Sequence, residues 1–257
     1  MTALSPAGRA HLAEIVLGWT RPRPTGKVVE IAGTVVQIEM TGAALGDIVE
    51  IDGAAGAVRC EVVGFRGSLL LAIPLAAARR IAPGAAVRHL GALAALPVGD
   101  ALVGRLIDPF GGPLDGGPAP ACTARVPIDG RALPIEERGE VGVRFDTGVR
   151  SIDGLLTCGR GQRVGIFAGA GCGKSVLVEQ IASQAEADVI VVGLVGERGR
   201  EVRELMESPR RSCMVIVAAT ADKSPLERVR GALAATAIAE YFRDRGKNVL
   251  LVLDSLT

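Results

Sequence analysis

The chain has 257 residues, 49% of them hydrophobic, and its 29 Lys+Arg against 28 Asp+Glu leave a formal charge of +1. That length holds one large domain or two modest ones, and the balanced charge gives no global pull toward nucleic acid or an anionic membrane. Five scattered cysteines and two histidines have no metal-ligand spacing, so the cysteines read as free buried thiols in a reducing compartment.

Residues 1–22 predict a short amphipathic helix that ends at the Arg21-Pro22-Arg23-Pro24 breaker. His11 and Glu14 interrupt its apolar stretch, which is too short and polar for a signal peptide or membrane span and points to the cytoplasm. Residues 23–93 form a second region. Short β-rich runs at 27–40, 47–53, 57–65, 68–74 and 85–91 are spaced by Gly or Pro as in a small antiparallel barrel or sandwich. A third region, 94–257, opens with a connection rich in Pro and Gly, whose dipeptides stop regular structure. Strands are then expected at 163–167, 189–194, 214–219 and 249–253, alternating with helices at 174–185, 199–207 and 226–245. Uniformly apolar strands with helical crossovers imply a parallel sheet covered on both faces, with ligands bound outside its carboxyl ends.

Residues 168–175 read Ala168-Gly169-Ala170-Gly171-Cys172-Gly173-Lys174-Ser175 and fit the phosphate-loop pattern except at Ala168, where a Gly is usual. The three glycines let successive N–H groups turn inward toward phosphate oxygens, and the helix that follows aims its positive end at the same point. Lys174 is expected to reach the β- and γ-phosphates of ATP and the Ser175 hydroxyl to sit on magnesium, with Val176 closing the nucleotide-binding set. The bland alternative is a Gly-rich turn that merely joins strand to helix. Cys172 reads as a space-filling loop residue whose alkylation would obstruct nucleotide entry.

The turn 196–201 leaves the second of these strands at the ligand-binding edge. Glu197 there can orient or deprotonate the attacking water, and Arg198 can neutralise the γ-phosphate. Arg200, Glu201, Arg203 and Glu204 read instead as solvated helix charges. The apolar run 249–253 closes on Asp254, the Walker B arrangement, in which the carboxylate holds magnesium opposite the P-loop hydroxyl.

With those residues placed, the chain resembles the ATPases of type III protein secretion and flagellar export, relatives of the rotary ATP synthase catalytic subunit. The resemblance runs from Gly33 to the last residue and is carried by segments 146–153, 159–168, 195–201, 239–246 and 249–257. It implies a six-stranded β-barrel followed by a RecA-like P-loop parallel sheet. Lys174 would contact phosphate, Ser175 and Asp254 would serve magnesium, Glu197 would be the catalytic carboxylate, and Arg198 would lie near the γ-phosphate. It also implies a hexameric ring, peripheral to the inner membrane at the export gate, that handles secretion chaperones and cargo. The barrels would help close the ring, the N-terminal segment would bind a stator protein, and nucleic acid would not be a partner.

Two departures stand out. Residues 206–213 form a shorter connection than the family's, and the chain ends just past the Walker B strand, so a fragment or truncated product with little turnover by itself is expected. An arginine finger from a neighbour is worth about 10³ to 10⁵ in rate. The competing readings are an RNA-translocating hexameric helicase, a non-catalytic nucleotide-binding ring subunit and an assembly module with a vestigial P-loop. The helicase needs a basic or aromatic groove, whereas the barrel region offers one aromatic, Phe65. A purely structural subunit has no need of Glu197.

Overall fold

In the computed structural model, the alternating runs of the first third become six antiparallel strands: β1 (Thr25–Ala32), β2 (Val35–Glu39), β3 (Asp47–Gly53), β4 (Gly56–Arg66), β5 (Leu69–Pro74) and β6 (Ala86–Ala92). They close into a barrel in the order β1-β2-β5-β4-β3-β6, sealed where Thr25 to Lys27 of β1 pair with Arg88 to Ala86 of β6. The structure describes residues 25–54, 56–75, 80–92, 95–128, 133–169 and 171–255, and it divides into two units, Met1–Leu93 and Ala94–Thr257. The helix expected over 1–22 lies outside the described residues.

Strand periodicity explains the barrel. Val36 and Ile38, Val49 and Ile51, and Cys60 and Val62 point inward at two-residue spacing and fill one core. Burial pushes the Cys60 thiol up to about 12. Ion pairs such as Lys27–Glu39 at 2.9 Å and Arg88–Glu50 at 2.9 Å lie on the outer wall. The run 27–40 is split by Gly33, whose φ of +62° serves the tight turn between β1 and β2.

The second unit begins with β7 (Ala95–Val98), β8 (Leu106–Ile107), β9 (Ala124–Pro127), β10 (Arg144–Phe145), helix α1 (Arg150–Leu155) and β11 (Cys158–Gly159). Helix α2 (Lys174–Gln184), β12 (Val189–Val195), α3 (Gly199–Met206), β13 (Met214–Ala219), α4 (Pro225–Asp244) and β14 (Val249–Asp254) follow. The main sheet is parallel, in the order β14-β12-β13-β8. Its side chains alternate between two cores. Val189, Val191, Val215 and Val217 meet Ala235, Ile238 and Phe242 of α4, while Ile190, Val192, Met214 and Ile216 meet Ala182 of α2 and Val202 and Leu205 of α3. Burial on both faces is the reason these strands are apolar throughout. Among the described residues, no helix is long and apolar enough to cross a membrane.

Two sequence expectations are corrected. The connection after residue 94 does not merely interrupt regular structure, because its β8 supplies the fourth strand of the sheet. β8 is tied down by Arg105, which donates to Asp115 Oδ2 at 2.6 Å and Oδ1 at 2.9 Å and to the Pro118 carbonyl at 2.7 Å. Residues 163–167, expected as a strand, form none. Val164 is 60% exposed and Phe167 97% exposed, and β14 has a ladder only with β12 among the described residues. A strand is stable only when a neighbour takes up its backbone N–H and C=O groups, and this segment has no such ladder.

Helix α4 starts with a capping box. Ser224 Oγ accepts the Glu227 N–H at 3.2 Å, Glu227 Oε2 accepts the Ser224 N–H at 3.1 Å, and Pro225 holds the first helical position. Along its buried face, a β-carbon added at Gly231 would lie 2.9 Å from the Ala219 β-carbon. Neither atom belongs to a flexible side chain. Gly231→Ala should therefore destabilise the unit by about 1–2 kcal/mol in urea unfolding, since overpacking outweighs the roughly 1 kcal/mol gained in helix propensity.

The Arg105 hydrogen bonds hold the Asp115 carboxyl well below the usual carboxylate range, helped by the Gly117 and Leu106 amides and opposed by burial. A carboxylate with a depressed pKa contributes its stability above its unfolded-state pKa and loses it as pH falls through the folded value. Thermal melts on an acid series should therefore show wild type losing this increment below about pH 4. Asp115→Asn should melt lower at neutral pH and show a flatter acid limb.

Candidate functional site

Parallel pairing brings the functional side chains together. β14 runs beside β12 with Leu253 opposite Gly193 and Asp254 opposite Leu194, so the last residue of β14 emerges beside the turn that leaves β12. That turn carries Glu197. The first residue of α2, Lys174, places its Nζ against Asp254 Oδ1.

The loop before α2 is shaped by Gly171 at φ +78° and Gly173 at φ +86°, with Gly173 as a left-handed N-cap. A β-carbon at either would meet no heavy atom within 4 Å, so backbone conformation and not crowding requires glycine there. Gly169 has no positive φ, so the curl expected of all three glycines rests on two. The Cys172 N–H donates to the Gly169 carbonyl at 3.3 Å. No side chain caps the helix, which leaves its first N–H groups directed at the loop. Ala168, Gly169, Cys172, Ser175 and Val176 are exposed and line this open end, while Ala170 lies outside the described residues. The expectation that the cysteines are buried thus fails at Cys172 and holds at Cys60 and Cys158; all five are free.

Carboxylate oxygens of Glu197, Glu201 and Asp254 lie within 4.8 Å of one another. Burial, then a hydrogen bond with Glu201, then the charges of Asp254 and Glu201 push the Glu197 carboxyl above its ordinary value, with Lys174 opposing. The Lys174 ammonium is held above its ordinary value by its Asp254 hydrogen bond and by the charges of Asp254, Glu197 and Glu201, against desolvation. Three carboxylates around one ammonium form a donor set suited to a hard divalent cation, which takes oxygen ligands.

Glu201 was expected to be a solvated helix charge, and its place in this cluster corrects that reading. It lies four residues after Glu197, in the first turn of α3, the helix that begins just past the turn carrying Glu197. That spacing was visible in the sequence. Arg198 stands apart from the cluster, exposed, with no side-chain hydrogen bond or ion pair among the described residues.

Comparison with known proteins finds relatives over most of this chain. Residues 148–257 match the ATP synthase alpha/beta family, nucleotide-binding domain. The type 3 secretion system ATPase of Xanthomonas euvesicatoria is 44% identical over 253 residues, covering 96% of this chain and 56% of that protein. The flagellum-specific ATP synthase of Salmonella typhimurium is 46% identical over 247 residues, covering 91% of this chain and 53% of its own length. The assembled ATPase EscN of the enteropathogenic E. coli type III secretion system superposes with a TM-score of 0.82 at 39% identity, over 90% of this chain and 57% of that one. The chain spans a little over half the length of these relatives. Over the residues that align, it is similar to the type III secretion and flagellum-specific ATPases, and residues 148–257 match the nucleotide-binding domain of the ATP synthase alpha/beta family.

Proposed function

We propose that this chain binds Mg·ATP at the open end of α2 and hydrolyses it to energise protein export of the flagellar or virulence type. The observation that carries this reading is the convergence of Lys174, Glu197 and Asp254 at the sheet's carboxyl edge, beside a loop of left-handed glycines.

In this reading the loop amides at 169–175 and the uncapped start of α2 bind the polyphosphate. Lys174 exchanges its contact with Asp254 for the β- and γ-phosphates. Ser175, Asp254 and Glu201 would hold a magnesium ion, which would supply charge neutralisation on the phosphates. Glu197, its carboxyl held above its ordinary value by burial and by its carboxylate neighbours, orients the attacking water and accepts its proton. Arg198 swings in from solvent to meet charge on the γ-phosphate.

Residues 94–257 serve as the nucleotide-binding domain, and 23–93 as the barrel domain that contacts neighbouring copies in a ring. The EscN structures support self-assembly, one of them being an assembled ATPase in complex with its central stalk EscO. A stalk or stator partner, export-gate components, chaperones and cargo follow from the same reading, as does a working place peripheral to the inner membrane. The stator contact proposed for residues 1–22 lies outside the described residues.

Calorimetry of the 257-residue chain with Mg·ATP tests the central claim. Wild type should bind, and Lys174→Ala should lose about 10- to 100-fold in affinity, the worth of a charge-assisted contact. Glu197→Gln should bind normally while hydrolysis falls by roughly 10² to 10⁴. A wild-type chain with no affinity for Mg·ATP would sink the proposal.

Exposed Cys172 in the loop and buried Cys60 in the barrel give a second test. A maleimide should label Cys172 first and leave Cys60 unlabelled in the native protein. Saturating Mg·ATP should slow labelling of Cys172. Mass spectrometry that found Cys172 labelled at the same rate with and without nucleotide would place ATP elsewhere.

A further inference from the structure

Glu197 sits in the short turn between β12 and α3, and three contacts define that turn. Two are backbone ties to the end of β13 and the connection after it: the Gly196 N–H donates to the Ala219 carbonyl at 2.7 Å, and the Ala221 N–H donates to the Glu197 carbonyl at 3.2 Å. The third is a side chain from the first turn of α4. Gly196 has a φ of +78°, and the place a β-carbon would take on it lies 3.7 Å from Arg228 Cδ and 3.9 Å from Arg228 Nη1. Within 4 Å of that place, leaving aside the adjoining residues, no other heavy atom stands there among the described residues.

Arg228 is itself held firmly. Its N–H donates to the Ser224 carbonyl at 3.1 Å, just inside the capping box that starts α4. Yet its Nε is buried with no hydrogen-bond partner, and its side chain makes no ion pair among the described residues. A buried guanidinium nitrogen without an acceptor is disfavoured, and nearly all such groups in folded proteins find one. This side chain lies along the Glu197 turn without that compensation.

We propose that Arg228 is a positioning residue for Glu197: its stem and guanidinium wall the Gly196 turn and so fix where the neighbouring carboxylate points. This rests on the role given above to Glu197, and Arg228 acts through the turn, not on the nucleotide. A side chain of this kind affects the geometry reached during phosphoryl transfer more than the binding of product. Misplacing a reacting group by about 1 Å costs about 10² in rate.

Binding of Mg·ADP, and capture of Mg·ADP with aluminium fluoride as a mimic of the transferring phosphoryl group, separates these effects in wild type, Arg228→Ala and Arg228→Lys. Arg228→Ala should lose about 10- to 100-fold in fluoroaluminate capture while its Mg·ADP affinity stays within about twofold of wild type. Arg228→Lys, which keeps the stem through Cδ, should recover most of the capture, and it carries the test should the alanine variant fold poorly. Unchanged capture, a parallel loss of Mg·ADP affinity, or a lysine variant no better than alanine would overturn the proposal. So would a wild-type chain that binds Mg·ADP but traps no fluoroaluminate. A wild type that binds no Mg·ADP at all would bring down the P-loop reading first and this proposal with it.

Discussion

The contact between the Lys174 ammonium and the Asp254 carboxylate joins residues 80 positions apart, and the candidate site is assembled around it. It exists because β14 runs parallel to β12 and ends at the same edge. A strand displaced by two residues in register would carry Asp254 roughly 7 Å along the sheet and break its contact with Lys174. The parallel arrangement also sends the β12–α3 and β13–α4 turns to this one edge, where each is hydrogen-bonded to the other.

Electrostatics then follows from topology. Gathering Glu197, Glu201 and Asp254 beside one lysine places like charges closer together than water-exposed groups would settle, and burial of Glu197 adds to the strain. Such a cluster favours proton uptake or cation binding, and both are useful where a polyphosphate must be received and a water activated.

The rest of the second unit keeps that edge in place. Valines facing α4 and isoleucines facing α2 and α3 anchor the strands from both sides, and the close approach of Gly231 to Ala219 seats α4 against β13. At the sheet's far side, β8 depends on the Arg105–Asp115 pair. The barrel is a separate construction with its own core and its own seam between β1 and β6.

Local chemistry was legible in the sequence. Gly171-Cys172-Gly173-Lys174-Ser175 announces its loop because only glycine takes left-handed backbone freely, and the strands 189–194 and 214–219 announce themselves as apolar runs rich in β-branched residues. Ser224-Pro225-Leu226-Glu227 likewise contains the cap of α4 in its own letters. Other features depend on what stands next to a segment. Residues 163–167 have the composition of a strand but no ladder, whereas Leu106 and Ile107, only two residues amid prolines and glycines, become one because β13 offers its edge. Glu201 looked like any helix charge until the fold set Asp254 within reach. Residue type determined which groups could bind phosphate or metal; which of them meet was decided by long-range strand pairing, since hydrogen-bond partners across a sheet are not encoded in the segment that needs them.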